Sequence, residues 1–264
     1  MISSEEFADL KFILKDGYLF TTHDQSITSR DEKEEASAAK LRSAASFSKL
    51  LARLVPFIRT VAVTGSVAYG GARKWDDIDL FVVTERNRLW ISSFLMLLQV
   101  RIYKLFRLRP AQLLLFCLSY VHDEAGFANE SRKNRTNSLF ARELLKAQPV
   151  AGLAEYRKIL QENKWVSEYY STPYSEKLKL LRRESSGTID AAAVASGPTS
   201  FFLDWAEQVA YVLLSRYLRL RAYLTNLKLN SEGKNLRAFQ PIISHRSCVY
   251  TSNFYKWLRA LWGE

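Results

Sequence analysis

The chain has 264 residues, which is long enough for one large domain or two small ones around a sizeable buried core. Hydrophobic residues make up 48 % and charged residues 25 %, as is typical of soluble globular proteins. The net charge of +11 suits a polyanionic partner, such as nucleic acid, nucleotide phosphates or an anionic membrane surface, although a solvated basic face would give the same charge.

The sequence also excludes several classes of protein. Cys117 and Cys248 lie far apart, without Cys-x-x-Cys or Cys/His spacing, so we expect two reduced thiols and no zinc site. The longest apolar stretches, Leu89–Val100 and Ala111–Val121, are well short of the roughly 20 residues of a membrane-spanning helix. The N-terminal sequence MISSEEFADLKF has acidic residues where a signal peptide needs basic ones. We therefore expect a cytoplasmic protein without a membrane span.

The first elements along the chain precede a buried strand. Residues 5–15 have apolar residues at helical spacing, and KDGYLFTT then predicts a turn and a short extended segment. We interpret residues 1–30 as a small N-terminal piece, either a winged-helix-like remnant or a capping subdomain. A long amphipathic helix is expected over 31–55, and the β-branched run Ile58–Thr64 predicts a buried strand.

The remaining elements follow a Gly-Ser pair and an Asp-Ile-Asp segment. Residues 77–84 predict a second strand, 86–106 a helix and 112–121 a third, central strand, so that residues 31–125 form one core. Helical patterns then indicate an extension over 126–184, with helices at 139–147, 151–162 and 175–183. Small and polar residues over 185–200 indicate a linker. Residues 201–264 form a basic, aromatic, helical C-terminal region, with a helix from 201 to about 229 and a loop-rich tail.

The stretch TGSVAYGGARKWDDIDLFVV contains residue types that suit phosphoryl chemistry. Gly65 and Ser66 end a strand and begin a helix, where backbone N–H groups and the Ser66 hydroxyl can bind an anion. Asp77 and Asp79 are one residue apart on a strand, so both side chains lie on one face, about 7 Å apart. Two such carboxylates repel each other unless a cation lies between them, and Mg²⁺ with substrate phosphates is the usual solution.

This Gly-Ser pair, ten residues and then Asp-x-Asp, with an apolar strand on each side, resembles the signature of the DNA polymerase β-like nucleotidyltransferase superfamily. It is most similar to the minimal nucleotidyltransferases, and the flanking sequence is similar to prokaryotic nucleotidyltransferase-domain proteins. The resemblance implies an α/β (α+β) fold in which a small mixed sheet forms the nucleotidyltransferase core over 31–125. It also implies that Asp77 and Asp79 bind catalytic Mg²⁺, and that Gly65 and Ser66 bind a nucleoside triphosphate, expected to be ATP.

Members of the superfamily generally carry a third carboxylate on a later strand, where it acts as general base. The corresponding run here, QLLLFCLSYV, has no acid. Asp123 and Glu124 follow it directly and are the candidates for this role. Either one of them replaces the third acid, or two aspartates suffice, or the site binds nucleotide without turnover.

The leading hypothesis is a Mg²⁺-dependent enzyme that moves a nucleoside monophosphate to a hydroxyl of a nucleic-acid end, a protein or a small molecule. The alternative is a catalytically inactive fold that binds nucleotides or nucleic acid, RNA included. Residues 209–264 contain nine lysines and arginines, two glutamates and many aromatic residues. This composition suits nucleic acid, but a packed helical lid explains it equally well, and a peripheral membrane role has least support.

Overall fold

The computed structural model of the protein describes residues 12–15, 18–21, 27–105, 116–184, 201–231 and 239–252. Its strands are β1 Phe12–Lys15, β2 Tyr18–Thr21, β3 Ile58–Thr64, β4 Ile78–Thr84, β5 Phe116–Asp123, β6 Gln148–Ala151, β7 Phe239–Ile243 and β8 Ser247–Ser252. Its helices are α1 Ile27–Leu54, α2 Gly65–Ala68, α3 Leu89–Leu105, α4 Glu124–Lys133, α5 Ser138–Lys146, α6 Leu153–Glu162, α7 Val166–Tyr169, α8 Ser171–Glu184 and α9 Phe201–Ser231.

A six-stranded mixed sheet organises the described residues, with the strand order β6-β3-β4-β5-β8-β7. β4 and β5 run parallel, and every other neighbouring pair in this sheet is antiparallel. β1 and β2 form a separate antiparallel pair. The predicted α/β fold with a small mixed sheet is therefore confirmed.

Side chains of the central strands alternate between two hydrophobic layers. On one face, Val61, Val63 and Leu80 pack with residues of α1, α3 and α9. On the other face, Ala62 and Phe81 pack with residues of α5, α6 and α8. Helices cover both faces, so β3 and β4 are buried along almost their whole length, and each contains an uninterrupted apolar run, Val61–Val63 and Leu80–Val83. Within the described ranges, no helix combines the length and apolar composition that crossing a membrane requires.

The strands around the Gly-Ser and Asp-Ile-Asp motif lie where the sequence predicts them. β3 covers Ile58–Thr64 as expected, and β4 begins one residue later than expected, at Ile78. The third predicted strand, 112–121, corresponds to β5, which continues to Asp123, and residues 112–115 lie outside the described ranges. The short strand β6, between two helices, was not predicted, because four residues show no periodicity.

The N-terminal piece differs from its prediction. Residues 12–15, expected in a helix, form β1 and pair with β2. Each segment has three consecutive aromatic or aliphatic residues, FIL and YLF, and this composition suits a strand as well as a helix. Residues 1–11 lie outside the described ranges, so the winged-helix interpretation of residues 1–30 stays a prediction.

The C-terminal region contributes two strands to the central sheet. The tail predicted as loop-rich contains β7 and β8, and β8 pairs antiparallel with β5. Pro241 interrupts the strand pattern of β7 in the sequence, but β7 is the edge strand, where a missing N–H group is tolerated. The predicted linker, 185–200, and residues 253–264 lie outside the described ranges.

A buried carboxylate attaches α9 to α3. Glu207 accepts hydrogen bonds from the backbone N–H groups of Trp90 and Ile91, both at 2.8 Å. These groups lie in the first turn of α3, where the helix offers them no carbonyl and its dipole favours an anion. Burial raises the pKa of Glu207, while the two N–H groups and Arg88 oppose that rise. Arg88 also pairs with Asp204 of α9 at 2.7 Å, which reinforces the same contact.

Replacing Glu207 with Ala is expected to destabilise the protein by about 1–3 kcal/mol, because two buried backbone donors lose their acceptor. Gln208→Ala is the matched control, since Gln208 is the exposed neighbour on the same helix. We expect it to change stability by less than about 0.5 kcal/mol. Urea unfolding followed by circular dichroism measures both variants, and equal destabilisation would contradict the role given to Glu207.

Candidate metal centre

Two carboxylates and a thiol converge where β4 begins. Asp77 directly precedes β4, and Asp79 is the second residue of that strand. Strand pairing places Asp79 beside Thr64 of β3 and beside Cys117 of β5. One oxygen each of Asp77 and Asp79 and the Sγ of Cys117 lie within 4.8 Å of one another. The structure thus brings together the two predicted aspartates and adds Cys117.

Cys117 was missed as a site residue because its role depends on the pairing of β5 with β4. Its sequence neighbours are apolar, and the spacing of the two cysteines gives no metal signal. The available signal was that QLLLFCLSYV, the strand expected to bear a third ligand, contains a cysteine where an acid was sought. Cys117 is partly exposed, whereas Cys248 is buried and burial raises the pKa of its thiol to about 12.

The structure does not bring Asp123 or Glu124 to the aspartate pair. Asp123 lies at the other end of β5, beside Thr84, six residues beyond Cys117 or about 20 Å along the strand. Its buried carboxylate accepts hydrogen bonds from the N–H groups of Gly126 and Asn87, at 2.6 Å and 3.0 Å, and caps α4.

Glu124 is directed elsewhere as well, because its carboxylate pairs with the Arg59 guanidinium at 3.2 Å. The two acids that the sequence offered as a replacement for the third carboxylate therefore have structural roles. The sequence could not exclude them, since their distance from the aspartate pair depends on the direction and register of β5.

Gly65 lies against the Asp79 carboxylate. Its φ is +65°, a backbone conformation that residues other than glycine rarely adopt. A Cβ on Gly65 would lie 2.5 Å from Asp79 Oδ2, which is closer than such atoms can approach. Gly65 was predicted to let a phosphate approach the backbone, and the structure shows a second reason for a glycine here, because the Asp79 carboxylate occupies the space of a Cβ.

Ser66 connects the Gly-Ser turn to the loop before β4. Its hydroxyl donates to Asp76 Oδ2 at 3.4 Å, and the same oxygen accepts from the Arg73 N–H at 2.9 Å. Asp76 is therefore a turn residue of this loop. Helix α2, which begins at Gly65, has only four residues, so its dipole is a weak contribution to any anion site.

Helix α1 anchors the loop that precedes the aspartates. The Ser37 hydroxyl accepts a hydrogen bond from the Ala72 N–H at 2.9 Å. The Lys40 ammonium donates to the carbonyls of Lys74, at 3.1 Å, and Asp76. These contacts fix the path of the chain into β4, and no sequence pattern predicts them.

The two aromatic residues of this loop have different environments. Tyr69 donates a hydrogen bond to Glu143 on α5 at 2.5 Å. The Arg142 guanidinium carbon lies over the Tyr69 ring, 5.1 Å from the ring centre. Burial and the Glu143 carboxylate raise its pKa, so it packs as a neutral phenol. Trp75 is 72 % exposed, with the Arg73 guanidinium over its ring at 5.7 Å, and is accessible to a planar ligand.

A cavity of about 520 Å³ adjoins the site, on the side of the sheet that α1, α3 and α9 cover. Asp77 and Cys117 lie at its rim, and aliphatic side chains of α1, α3 and α9 form most of its walls, among them Leu51, Met96 and Leu214. Apolar walls suit an apolar group and not a triphosphate.

The donor set fits a divalent cation. Two carboxylates are the protein ligands that Mg²⁺ accepts, together with water and substrate phosphates. A thiolate is not a ligand for Mg²⁺, so only Asp77 and Asp79 fit that ion. Because two carboxylates this close repel each other, a bound cation would stabilise the arrangement.

Comparison with known proteins identifies the central segment. Residues 45–114 match the family model of the nucleotidyltransferase domain, which confirms the resemblance seen in the sequence. The matched segment includes the Gly-Ser pair and both aspartates and ends before β5, so it does not include Cys117. No curated protein and no solved structure matches the chain significantly.

Replacing Gly65 with Ala is expected to displace the Asp79 carboxylate and to destabilise the protein by about 1–2 kcal/mol, through strain at positive φ. Because the displaced carboxylate is a proposed metal ligand, the affinity for Mn²⁺, measured by electron paramagnetic resonance, should also fall. Gly71→Ala is the matched control, because a Cβ there meets its nearest neighbour, the Ser66 carbonyl, at 3.9 Å. The same loss of stability and of Mn²⁺ binding in both variants would contradict this assignment.

Proposed function

Because residues 45–114 match the family model of the nucleotidyltransferase domain, we propose that the protein catalyses Mg²⁺-dependent transfer of a nucleoside monophosphate from a nucleoside triphosphate, with ATP as the expected donor, to a hydroxyl acceptor. In this reaction the acceptor oxygen bonds to the α-phosphorus as the bond to the bridging oxygen breaks. Pyrophosphate leaves, and the acceptor loses its proton. The acceptor is a hydroxyl of a nucleic-acid end, a protein or a small molecule.

The observation that carries this proposal is the convergence of the two motif halves. β3 and β4 are neighbours, so the Gly-Ser turn at the end of β3 lies against the Asp79 carboxylate on β4. A ligand that contacts the turn through its phosphates therefore also reaches the aspartates. This juxtaposition supports the roles that the sequence analysis gave to Gly65, Ser66, Asp77 and Asp79.

Each residue has a separate task in the proposed reaction. Asp77 and Asp79 hold the metal, and when bound, Mg²⁺ neutralises charge on the triphosphate. The backbone at Gly65 and the Ser66 hydroxyl bind phosphate oxygens, for which Ser66 turns from Asp76 to the ligand. Trp75, exposed in the same loop, is the residue we assign to stacking on the base.

Proton removal distinguishes this site from the general pattern of the superfamily. The described residues place Cys117, and not an acid, next to Asp79 on the following strand. With Asp123 and Glu124 at the far end of β5, the acceptor proton passes to solvent at the exposed Asp77 side of the site. We therefore expect turnover to be slower than with a positioned general base, by a factor of about 10²–10⁴.

The test replaces both aspartates. The double variant Asp77→Asn, Asp79→Asn is expected to abolish Mg²⁺-dependent transfer of label from α-labelled ATP, because neither amide neutralises a cation. Its free energy of unfolding should not fall, since the substitution relieves repulsion between the carboxylates. The assay uses total RNA, the protein itself and small alcohols as acceptors.

The matched control is Glu124→Gln, which removes a carboxylate from the opposite end of the strand and should leave transfer unchanged. Transfer by the double variant at the wild-type rate would overturn the proposal. So would a loss of transfer in Glu124→Gln alone, which would return the general-base role to that residue.

Cys117 lies on the strand where members of the superfamily generally carry the third carboxylate. A thiol in place of that acid favours a second candidate function, a binding module without turnover. Exposed aromatic residues of α9, such as Phe202, Trp205 and Tyr223, occur on the same helix as the exposed cations Arg216 and Arg219. Tyr211, by contrast, packs on Trp90, with 5.2 Å between ring centres. The packed-lid interpretation therefore holds for part of this helix, and its exposed part suits stacking on bases and phosphate contact.

If the protein binds nucleic acid in this way, its affinity for single-stranded RNA should fall steeply with salt. Replacing Arg216 and Arg219 with Ala should reduce the slope of log K against log salt by about 0.7 for each lost phosphate contact. The charge-matched control is the double variant Lys164→Ala, Lys179→Ala, at exposed positions in the other helical layer. Fluorescence anisotropy measures all three proteins, and a flat salt dependence in the wild type would exclude this function.

A further inference from the structure

We propose that Cys117 makes this centre a site for a thiolate-binding divalent cation of the Zn²⁺ class in the absence of nucleotide. The ion is held by the Cys117 Sγ and by one carboxylate oxygen each of Asp77 and Asp79. The inference rests on the proposed function, because it concerns the metal that the same centre takes. It departs from the sequence expectation of no zinc site, which considered only the spacing of cysteines and histidines along the chain.

The geometry needs little rearrangement. Asp79 and Cys117 are paired residues of neighbouring parallel strands, so the sheet holds their backbones side by side. The three ligand atoms lie within 4.8 Å of one another, and ligands of one tetrahedral zinc ion are roughly 3.5 Å apart. Asp77 lies outside the regular strand and is exposed, so rotation of its side chain can close the difference.

The chemistry of the donors selects the ion. Mg²⁺ requires oxygen ligands in near-octahedral geometry, and a sulfur ligand contributes nothing to its binding. Zn²⁺ and Co²⁺ accept thiolate, carboxylate and water in one tetrahedral shell. Three protein ligands leave one position for water or for a phosphate oxygen of the substrate. Binding converts the Cys117 thiol to the thiolate and releases one proton to solvent.

The environment of Cys117 differs from that of a packing residue. Cys117 is partly exposed and lies at the rim of a cavity beside two carboxylates, where an aliphatic side chain would serve packing equally well. Cys248 lines the same cavity, but it is buried and lies outside the cluster. Among the residues that the structure describes, this is the one cluster of three or more potential ligands at such distances. Cys248 is therefore the natural control.

The experiment is a titration of the metal-free, full-length protein with Co²⁺, followed by absorption spectroscopy. Wild type and Cys248→Ser should show a thiolate-to-cobalt charge-transfer band and the visible bands of tetrahedral cobalt. Cys117→Ser should lack the charge-transfer band. Zn²⁺ at one equivalent should remove the bands, and a large excess of Mg²⁺ should not.

Affinity for Zn²⁺, measured by competition with a chromophoric chelator, should fall in Cys117→Ser by at least about 10–100-fold, the range seen even for residues that only support a ligand. If that variant does not fold, as judged by circular dichroism, Cys117→Ala carries the same expectation. The absence of a charge-transfer band in the wild type, or its persistence in the Cys117 variant, would overturn the inference.

The outcome is separable from that of the proposed function. A cobalt–thiolate band without nucleotide transfer would support the metal site and contradict the enzyme. Transfer with Mg²⁺ and no such band would support the enzyme and contradict the role of Cys117.

Discussion

The parallel pairing of β4 with β5 is the interaction on which the site depends. Its register places Asp79 beside Cys117 at one end and Thr84 beside Asp123 at the other. Because successive side chains of a strand alternate between faces, a shift by one residue would turn Cys117 away from the aspartates. β4 is also hydrogen-bonded to β3 on its other side, so the first residues of β4 are held from both directions.

The C-terminal region supports this pairing from the far side of β5. β8 pairs with β5 and places Cys248 beside Val121, so both edges of β5 are hydrogen-bonded. α9 covers the same side of the sheet as α3, and the Glu207 carboxylate joins these two helices. A region that the sequence separated from the core by a linker thus contributes to the stability of the strand that carries Cys117.

Local patterns were sufficient for β3, β4 and the motif between them, because the Gly-Ser turn and the Asp-Ile-Asp alternation act within about twenty residues of sequence. The contacts that complete the site are long-range. Cys117 reaches Asp79 through strand register, and Lys40 reaches the loop before β4 from a helix that is distant in sequence. Asp123 is a case in which the local pattern misled. Its position at the end of an apolar run suggested a catalytic acid, but the direction of β5 takes it away from the aspartates, and it caps α4 instead.

The central claim is that the Asp77 and Asp79 side chains, with the adjacent Gly-Ser turn, form a metal–nucleotide centre. Crystals grown with Mn²⁺ and a non-hydrolysable ATP analogue test it directly, through anomalous scattering of the manganese. The account predicts an anomalous peak within coordination distance of both carboxylates, with the triphosphate beside Gly65 and Ser66. Nucleotide bound elsewhere on the protein, with no manganese at the aspartates, would contradict it.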